Sequence, residues 1–236
     1  MSAAETHSTR VKICGLRDVE TIRAMNGLPV DELGFMFAGS KRQVSPELAA
    51  ELIAEAGKLR SPAGHAPRMV GVFVNGELEQ LRELLAIAPL DVIQLHGEET
   101  PAICAAIKSQ LGIEVWKVFS ATGEDHVPAS DGGEPLVIAG SARLARYGGT
   151  VDAVLIDTAG GGTGRTFDWS VIDSYVEAAK DIGVPLYVAG GLHPDNVSEL
   201  LEAYAPSGVD VSSGVETDGW KDTNKIRHFV ERVKRK

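Results

Sequence analysis

Short apolar runs of five to seven residues alternate with amphipathic stretches along almost the whole chain. The runs fall at 11–15 (VKICG), 32–37 (ELGFMF), 68–74 (RMVGVFV), 92–97 (VIQLHG), 114–120 (EVWKVFS), 153–158 (AVLIDT), 185–190 (PLYVAG) and 208–212 (GVDVS). They are too short for amphipathic helices and read as strands buried in a parallel sheet. Helical spacing fills the intervals. In 45–59, Ser45 is placed to cap and Pro46 suits the first helical position, with Leu48, Leu52, Ile53 and Ala56 on one face. Leu78, Leu81, Leu84 and Leu85 mark a face in 77–88, and Val197, Leu200, Leu201 and Tyr204 mark one in 194–204. Ile226, Phe229, Val230 and Val233 do so in 222–235, whose basic end suits a helix C-terminus. Fainter helical patterns lie at 18–26, 99–110, 140–147 and 169–182.

Eight strand–helix units in series predict a single α/β domain, a (β/α)8 barrel of eight parallel strands ringed by helices. A doubly wound open sheet competes, but it buries central strands more strongly than edge strands, and here the runs are similarly apolar. Residues 1–10 are polar and read as a disordered N-terminal extension, leaving 11–236 as the barrel domain. The segment 121–135, rich in Gly, Pro and acids, reads as an exposed loop inside the fold.

Composition narrows the class. Apolar residues make up 44% and charged residues 24%, ordinary for a soluble globular chain with a sizeable core. The net charge of -10 argues against nucleic acid as a partner, and an anionic substrate would need a local set of N–H groups or cations. The two cysteines, Cys14 and Cys104, form neither a disulfide framework nor a zinc site, so no metal is expected and a reducing cytoplasm fits. No run approaches the roughly 20 apolar residues of a membrane span, and the first ten residues lack a signal-peptide core.

The candidate chemistry sits at strand ends, where barrels of this type carry their sites. Asp157 closes the run Val154-Leu155-Ile156 and is followed by a glycine cluster through Gly164. A carboxylate there is costly to bury without a partner, and it serves either as a catalytic acid or as a local cap. Cys14 closes the first run two residues after Lys12, and is either a thiol activated by that charge or a small buried hydrophobe. Gly190-Gly191 and Ser212-Ser213-Gly214 follow the seventh and eighth runs, where backbone N–H groups either cradle phosphate or form ordinary turns. Arg42 follows the second run and is either a fork for a carboxylate or a solvated basic turn. Asp210 alternates with Val209 and Val211 and so points into the barrel. His96 ends the fourth run and either lines the pocket or satisfies a backbone group.

Several segments together resemble the phosphoribosylanthranilate isomerases: KICGL (12–16), GFMF and SKRQVSPE within 34–47, VGVFVN (70–75), IQLHGEE (93–99), LIDTAGGGTGRTFDW (155–169), YVAGGLHPDNV (187–197), GVDVSSGVE (208–216) and KDTNKIRHFV (221–230). They occur in family order over nearly the whole chain. The resemblance implies a (β/α)8 barrel without metal or organic cofactor that performs an Amadori rearrangement on a phosphorylated small molecule. It implies Cys14 as general base, Asp157 as general acid, Arg42 at the anthranilate carboxylate, Asp210 beside the substrate amine, and phosphate held at Gly190, Gly191, Ser212, Ser213 and Gly214; His96 joins the expected substrate-binding residues from its place at the end of the fourth run. The Asp157 pKa should then be raised by burial and the Cys14 pKa lowered by Lys12 or by a cationic intermediate. The GGGTG segment would serve as a mobile lid. A histidine-pathway or bifunctional isomerase is the nearest alternative, although it typically has an aspartate where Cys14 stands. Indoleglycerol-phosphate synthase would need lysine and glutamate catalysts not found at matching strand ends. A non-catalytic phosphate-binding barrel is the alternative outside the enzymes. The pattern is compatible with a monomer or a homodimer, and 121–150 holds more residues than a compact member needs.

Overall fold

The structure, a computed structural model, describes residues 8–62, 64–127, 136–158 and 166–235. All eight apolar runs are strands of one closed barrel: β1 (Arg10–Cys14), β2 (Glu32–Met36), β3 (Arg68–Phe73), β4 (Val92–Leu95), β5 (Glu114–Ser120), β6 (Ala153–Asp157), β7 (Leu186–Val188) and β8 (Gly208–Val211). Each strand pairs in parallel with its sequence neighbour, and β8 closes on β1 with Lys12 opposite Asp210. The closed order excludes the open sheet. The first strand starts at Arg10 and Thr9 is already buried, so the expected extension ends earlier than residue 10. Residues 1–7 of that extension lie outside the described residues.

The outer layer holds α1 (Val19–Ala24), α2 (Pro46–Ala56), α3 (Leu78–Ile87), α4 (Pro101–Leu111), α5 (Ile172–Asp181), α6 (Val197–Ala203) and α7 (Thr223–Lys234). Ser45 caps α2 as its position predicts, its Oγ accepting from Leu48 N–H at 3.2 Å. Asp18, Thr100 and Asp222 cap α1, α4 and α7 in the same manner. The segment 140–147 is a 3-10 helix, not an α-helix. Its buried Leu144 and Tyr147 are three residues apart, the period that the tighter helix aligns on one face. No helix among the described residues is long and apolar enough to cross a membrane.

The segment expected to be a loop is partly ordered sheet. Glu124–Val127 pairs antiparallel with Leu136–Ala139, so residues 124–127 form one arm of a hairpin. The polar arm Glu124-Asp125-His126 carries no apolar run, so no strand was expected there.

Side chains alternate between two cores. Val70, Val92, Trp116, Val118, Leu155 and Tyr187 fill the barrel, while Ile13, Leu33, Val154, Ile156, Val209 and Val211 pack outward under the helices. Asp210 therefore points inward, as its alternation predicts, and shares the interior with buried Lys12, Gln94 and Lys117.

Candidate active site

The upper end of β1 meets β2 through a gap made by glycine. Cys14 lies opposite Gly34 in the register. A Cβ on Gly34 would stand 2.8 Å from Cys14 Sγ and 3.1 Å from Lys12 Nζ, so only glycine leaves room for both groups. Lys12 and Cys14 are two residues apart and face the same side. Lys12 Nζ donates to Asp210 Oδ1 at 3.0 Å and also lies beside the thiol. Burial works against the ammonium, but the Asp210 carboxylate and Cys14 hold its pKa well above the usual lysine value.

The thiol departs from expectation. Its pKa is raised rather than lowered, because burial outweighs the opposing charges of Lys12 and Lys221, and Asp210 adds to the rise. Cys14 is therefore a neutral thiol at pH 7.

Asp157 ends β6 almost fully buried, and burial pushes its carboxyl up to about 6, against the pull of the Thr158 N–H that donates to Oδ1 at 2.7 Å. His96 follows β4 with Nε2 3.9 Å from Asp157 Oδ2. Burial and the Lys117 ammonium push this imidazole down to about 4, so it is neutral at pH 7. Lys117 itself sits beneath, donating to the carbonyls of Gly97 and Val118 and paired with Glu99 at 3.2 Å.

Cys14, Arg42, His96, Asp157, Asp210 and Ser212 line one cavity of about 830 Å³ at the carboxyl ends of the strands. The hairpin after β5 adds Asp125 and His126 to its wall, and the 3-10 helix adds Arg143 and Arg146. Described residues of the 121–150 segment thus build part of the mouth. Arg146 Nη1 donates to Asp125 Oδ2 at 2.6 Å and joins the two pieces. A second depression of about 410 Å³, near Pro185 and Ser207, has Lys180 as its one charged residue.

Arg42 is neither solvated nor free. Its Nε and Nη2 donate to Glu216 Oε1 and Oε2 at 2.6 and 3.0 Å, and both side chains are buried. Lys221 Nζ lies 3.0 Å from the same Oε1 and donates to Ser212 O at 2.9 Å. Burial opposes the Glu216 charge, but Arg42 and Lys221 hold its pKa down to about 2. Sequence reasoning assigned no role to Glu216 or Lys221. In the sequence Glu216 reads as the end of the VSSGVE loop and Lys221 as the residue before the last helix, and neither position carries a local mark of the ion pair.

The expected phosphate segments meet at the rim. Gly190 and Gly191 take left-handed backbone, with φ of 83° and 65°. A Cβ on Gly214 would fall 1.8 Å from Leu192 O, so the loops after β7 and β8 touch at that glycine. Of these residues only Ser212 lines the main cavity; Gly190, Gly191, Ser213 and Gly214 lie beside it. A Cβ on Gly190 would stand 3.0 Å from Asp157 Oδ1, so this loop adjoins the acid. The expected lid, 160–164, lies outside the described residues. Among the described residues no group of three or more His, Cys, Asp or Glu is arranged to hold a metal ion.

The family model for N-(5'-phosphoribosyl)anthranilate (PRA) isomerase matches residues 11–232. The chain is similar to the N-(5'-phosphoribosyl)anthranilate isomerase of Brevibacillus brevis, 42% identical over 230 residues that cover 96% of this chain and 94% of that protein. It is also similar in structure to phosphoribosyl anthranilate isomerase of Thermotoga maritima, with a TM-score of 0.72 at 31% identity, covering 96% of this chain and 98% of that one. A phosphoribosyl anthranilate isomerase solved with reduced 1-(o-carboxyphenylamino)-1-deoxyribulose 5-phosphate gives a TM-score of 0.69 at 30% identity, with coverage of 96% and 98%.

Proposed function

The chain belongs to the N-(5'-phosphoribosyl)anthranilate isomerase family and is an isomerase of tryptophan biosynthesis, and from that premise we propose that its proton transfers run between Asp157 and Cys14. In the Amadori rearrangement the ribose ring of N-(5-phosphoribosyl)anthranilate opens and hydrogen moves from C2 to C1. Asp157 gives its proton to the ring oxygen as the C1–O bond breaks, and the nitrogen lone pair forms the protonated Schiff base. Cys14 takes the proton from C2. The C–H electron pair becomes the C1–C2 double bond and the iminium electrons return to nitrogen. Tautomerisation of the resulting enaminol then adds a proton at C1, releases the one on the C2 hydroxyl and leaves the ketone.

The observation that carries this reading is that an acid with a pKa near 6 and a thiol flanked by Lys12 line the same cavity from β6 and β1. At pH 7 Asp157 rests mostly ionised, because its raised pKa of about 6 still lies below that pH. Cys14 rests as a thiol, so the reactive pair differs from the resting pair by one proton moved from sulfur to carboxylate. The Lys12 ammonium and the cationic Schiff base favour that thiolate.

Arg42 is proposed to receive the anthranilate carboxylate. Asp210 is proposed to stand beside the substrate amine, with neutral His96 on the Asp157 side. The segments Gly190-Gly191 and Ser212-Ser213-Gly214 are proposed to hold the phosphate, whose remote binding energy orients the sugar. All these groups come from one chain, so the proposed site is complete in a single barrel. Two buried free thiols suit a reducing compartment, and the cytoplasm is the proposed location. Expression in a strain lacking the isomerase tests the function directly. Growth without tryptophan is expected, and a folded, expressed protein that failed to restore it would refute the assignment.

A further inference from the structure

We infer that Lys221, acting through Glu216, is a positioning residue that keeps Arg42 available to an anionic substrate group. This rests on the reading that Arg42 receives the anthranilate carboxylate. Glu216 grips the Nε–Nη2 edge of the guanidinium, and a carboxylate so placed cancels the charge that a substrate carboxylate would need. Lys221 restores the balance. It meets the same Oε1 atom, so two cations face one anion and the buried cluster keeps a net positive charge. Of the three, only Arg42 lines the cavity; Glu216 and Lys221 stand behind it.

The hairpin after β8 is built to hold this arrangement. Glu216–Thr217 pairs with Trp220–Lys221, and Glu216 and Lys221 are directly opposite in the register. The two turn residues, Asp218 and Gly219, both have positive φ (52° and 78°), the geometry of the tightest hairpin connection. The cross-strand pair therefore has little freedom to drift. Arg17 ties the hairpin to the loop that carries Arg42: its guanidinium lies 3.7 Å over the Trp220 ring and donates to Gly219 O and Lys41 O. Lys221 also donates to Ser212 O, so one ammonium links the rim of the proposed phosphate site to the partner of Arg42.

Two substrates separate this role from general support: N-(5-phosphoribosyl)anthranilate and its aniline analogue, which lacks the carboxylate. The readout is the ratio of their kcat/KM values. A loss of support for the phosphate or the fold lowers both values and leaves the ratio alone. In Lys221→Met the ratio is expected to fall by about tenfold or more, through a higher KM for the carboxylated substrate, and Lys221→Arg is expected to restore most of it. Arg42→Met is the control for the underlying reading. If Arg42→Met lowers the ratio while folded Lys221→Met leaves it within about twofold, the role of Lys221 is overturned and that of Arg42 stands. If Arg42→Met itself leaves the ratio unchanged, the carboxylate reading fails and this inference fails with it. Should Lys221→Met not fold, the same ratio is read on Lys221→Gln, which removes the charge but keeps a hydrogen-bond donor, with the same expected fall and the same overturning result.

Discussion

Lys12 and Asp210 face each other across the seam where the barrel closes, with Nζ 3.0 Å from Oδ1 and the two residues in register on β1 and β8. A buried ion pair is poor evidence for stability, because desolvation offsets much of its attraction. This one fixes a cation beside Cys14. The seam between the first and last strands thus supplies charge to the proposed base, while the proposed acid stands on β6.

Removing either proton carrier should stop the chemistry more than the binding. Cys14→Ala and Asp157→Asn are each expected to lower kcat by about a hundredfold or more with little change in KM. Steady-state kinetics check this, and near-wild-type turnover in either variant would remove that residue from its role.

The pH profile should reflect an inverted pair. The acid must be protonated although its pKa is about 6, and the base must be ionised although burial lifts its pKa above the ordinary thiol range. Activity is expected to rise up to about pH 6, stay level, and fall only at the alkaline pKa of Cys14. In Asp157→Asn the limb at about 6 should vanish and the residual rate should climb with pH until the thiol is ionised. An unchanged acid limb in that variant would assign it to another group.

The same variant should be the more stable protein. Native Asp157 keeps its proton up to about pH 6, whereas the unfolded chain releases it near 3.8. Stability therefore falls as pH rises through that window and stays lowered above it. Asp157→Asn is expected to match wild type near pH 4 and to exceed it by on the order of 1–3 kcal/mol at pH 8. Denaturant melts at both pH values test this, and a variant equal to wild type at pH 8 would contradict the burial cost.

Gly34→Ala should damage the site from the neighbouring strand. The new methyl meets Cys14 Sγ at 2.8 Å and Cys14 Cα at 3.0 Å. A cost of about 1–3 kcal/mol in stability is expected from overpacking, with kcat lowered as the thiol is displaced. Wild-type kcat in a folded Gly34→Ala protein would show that the thiol position is not critical.

Sulfate soaked into crystals should occupy the rim beside Gly191 and Ser213, stabilised by backbone N–H groups. Clear density elsewhere with this rim empty would move the proposed phosphate site.

Periodicity alone located all eight strands and the capped helices, because a run buried on both faces and a helix with one apolar face leave local signatures. Cys14 and Asp157 were legible for the same reason: a polar residue that closes an apolar run is conspicuous, and barrel chemistry gathers at that end of the strands. The inward direction of Asp210 followed from alternation. The hairpin arm at 124–127 was not legible, since a polar strand on the rim has no apolar pattern. The partners of Arg42 were hidden because 174 residues separate it from Glu216, and nothing local to either one specifies the pair. The pKa of Cys14 depended on burial by the assembled barrel, which reversed the sign suggested by the nearby lysine. Local sequence thus determined which strand-end residues reach the mouth of the barrel. Only closure of the chain decided which charges meet there and how much water is excluded, because desolvation and long-range ion pairing are properties of the packed whole.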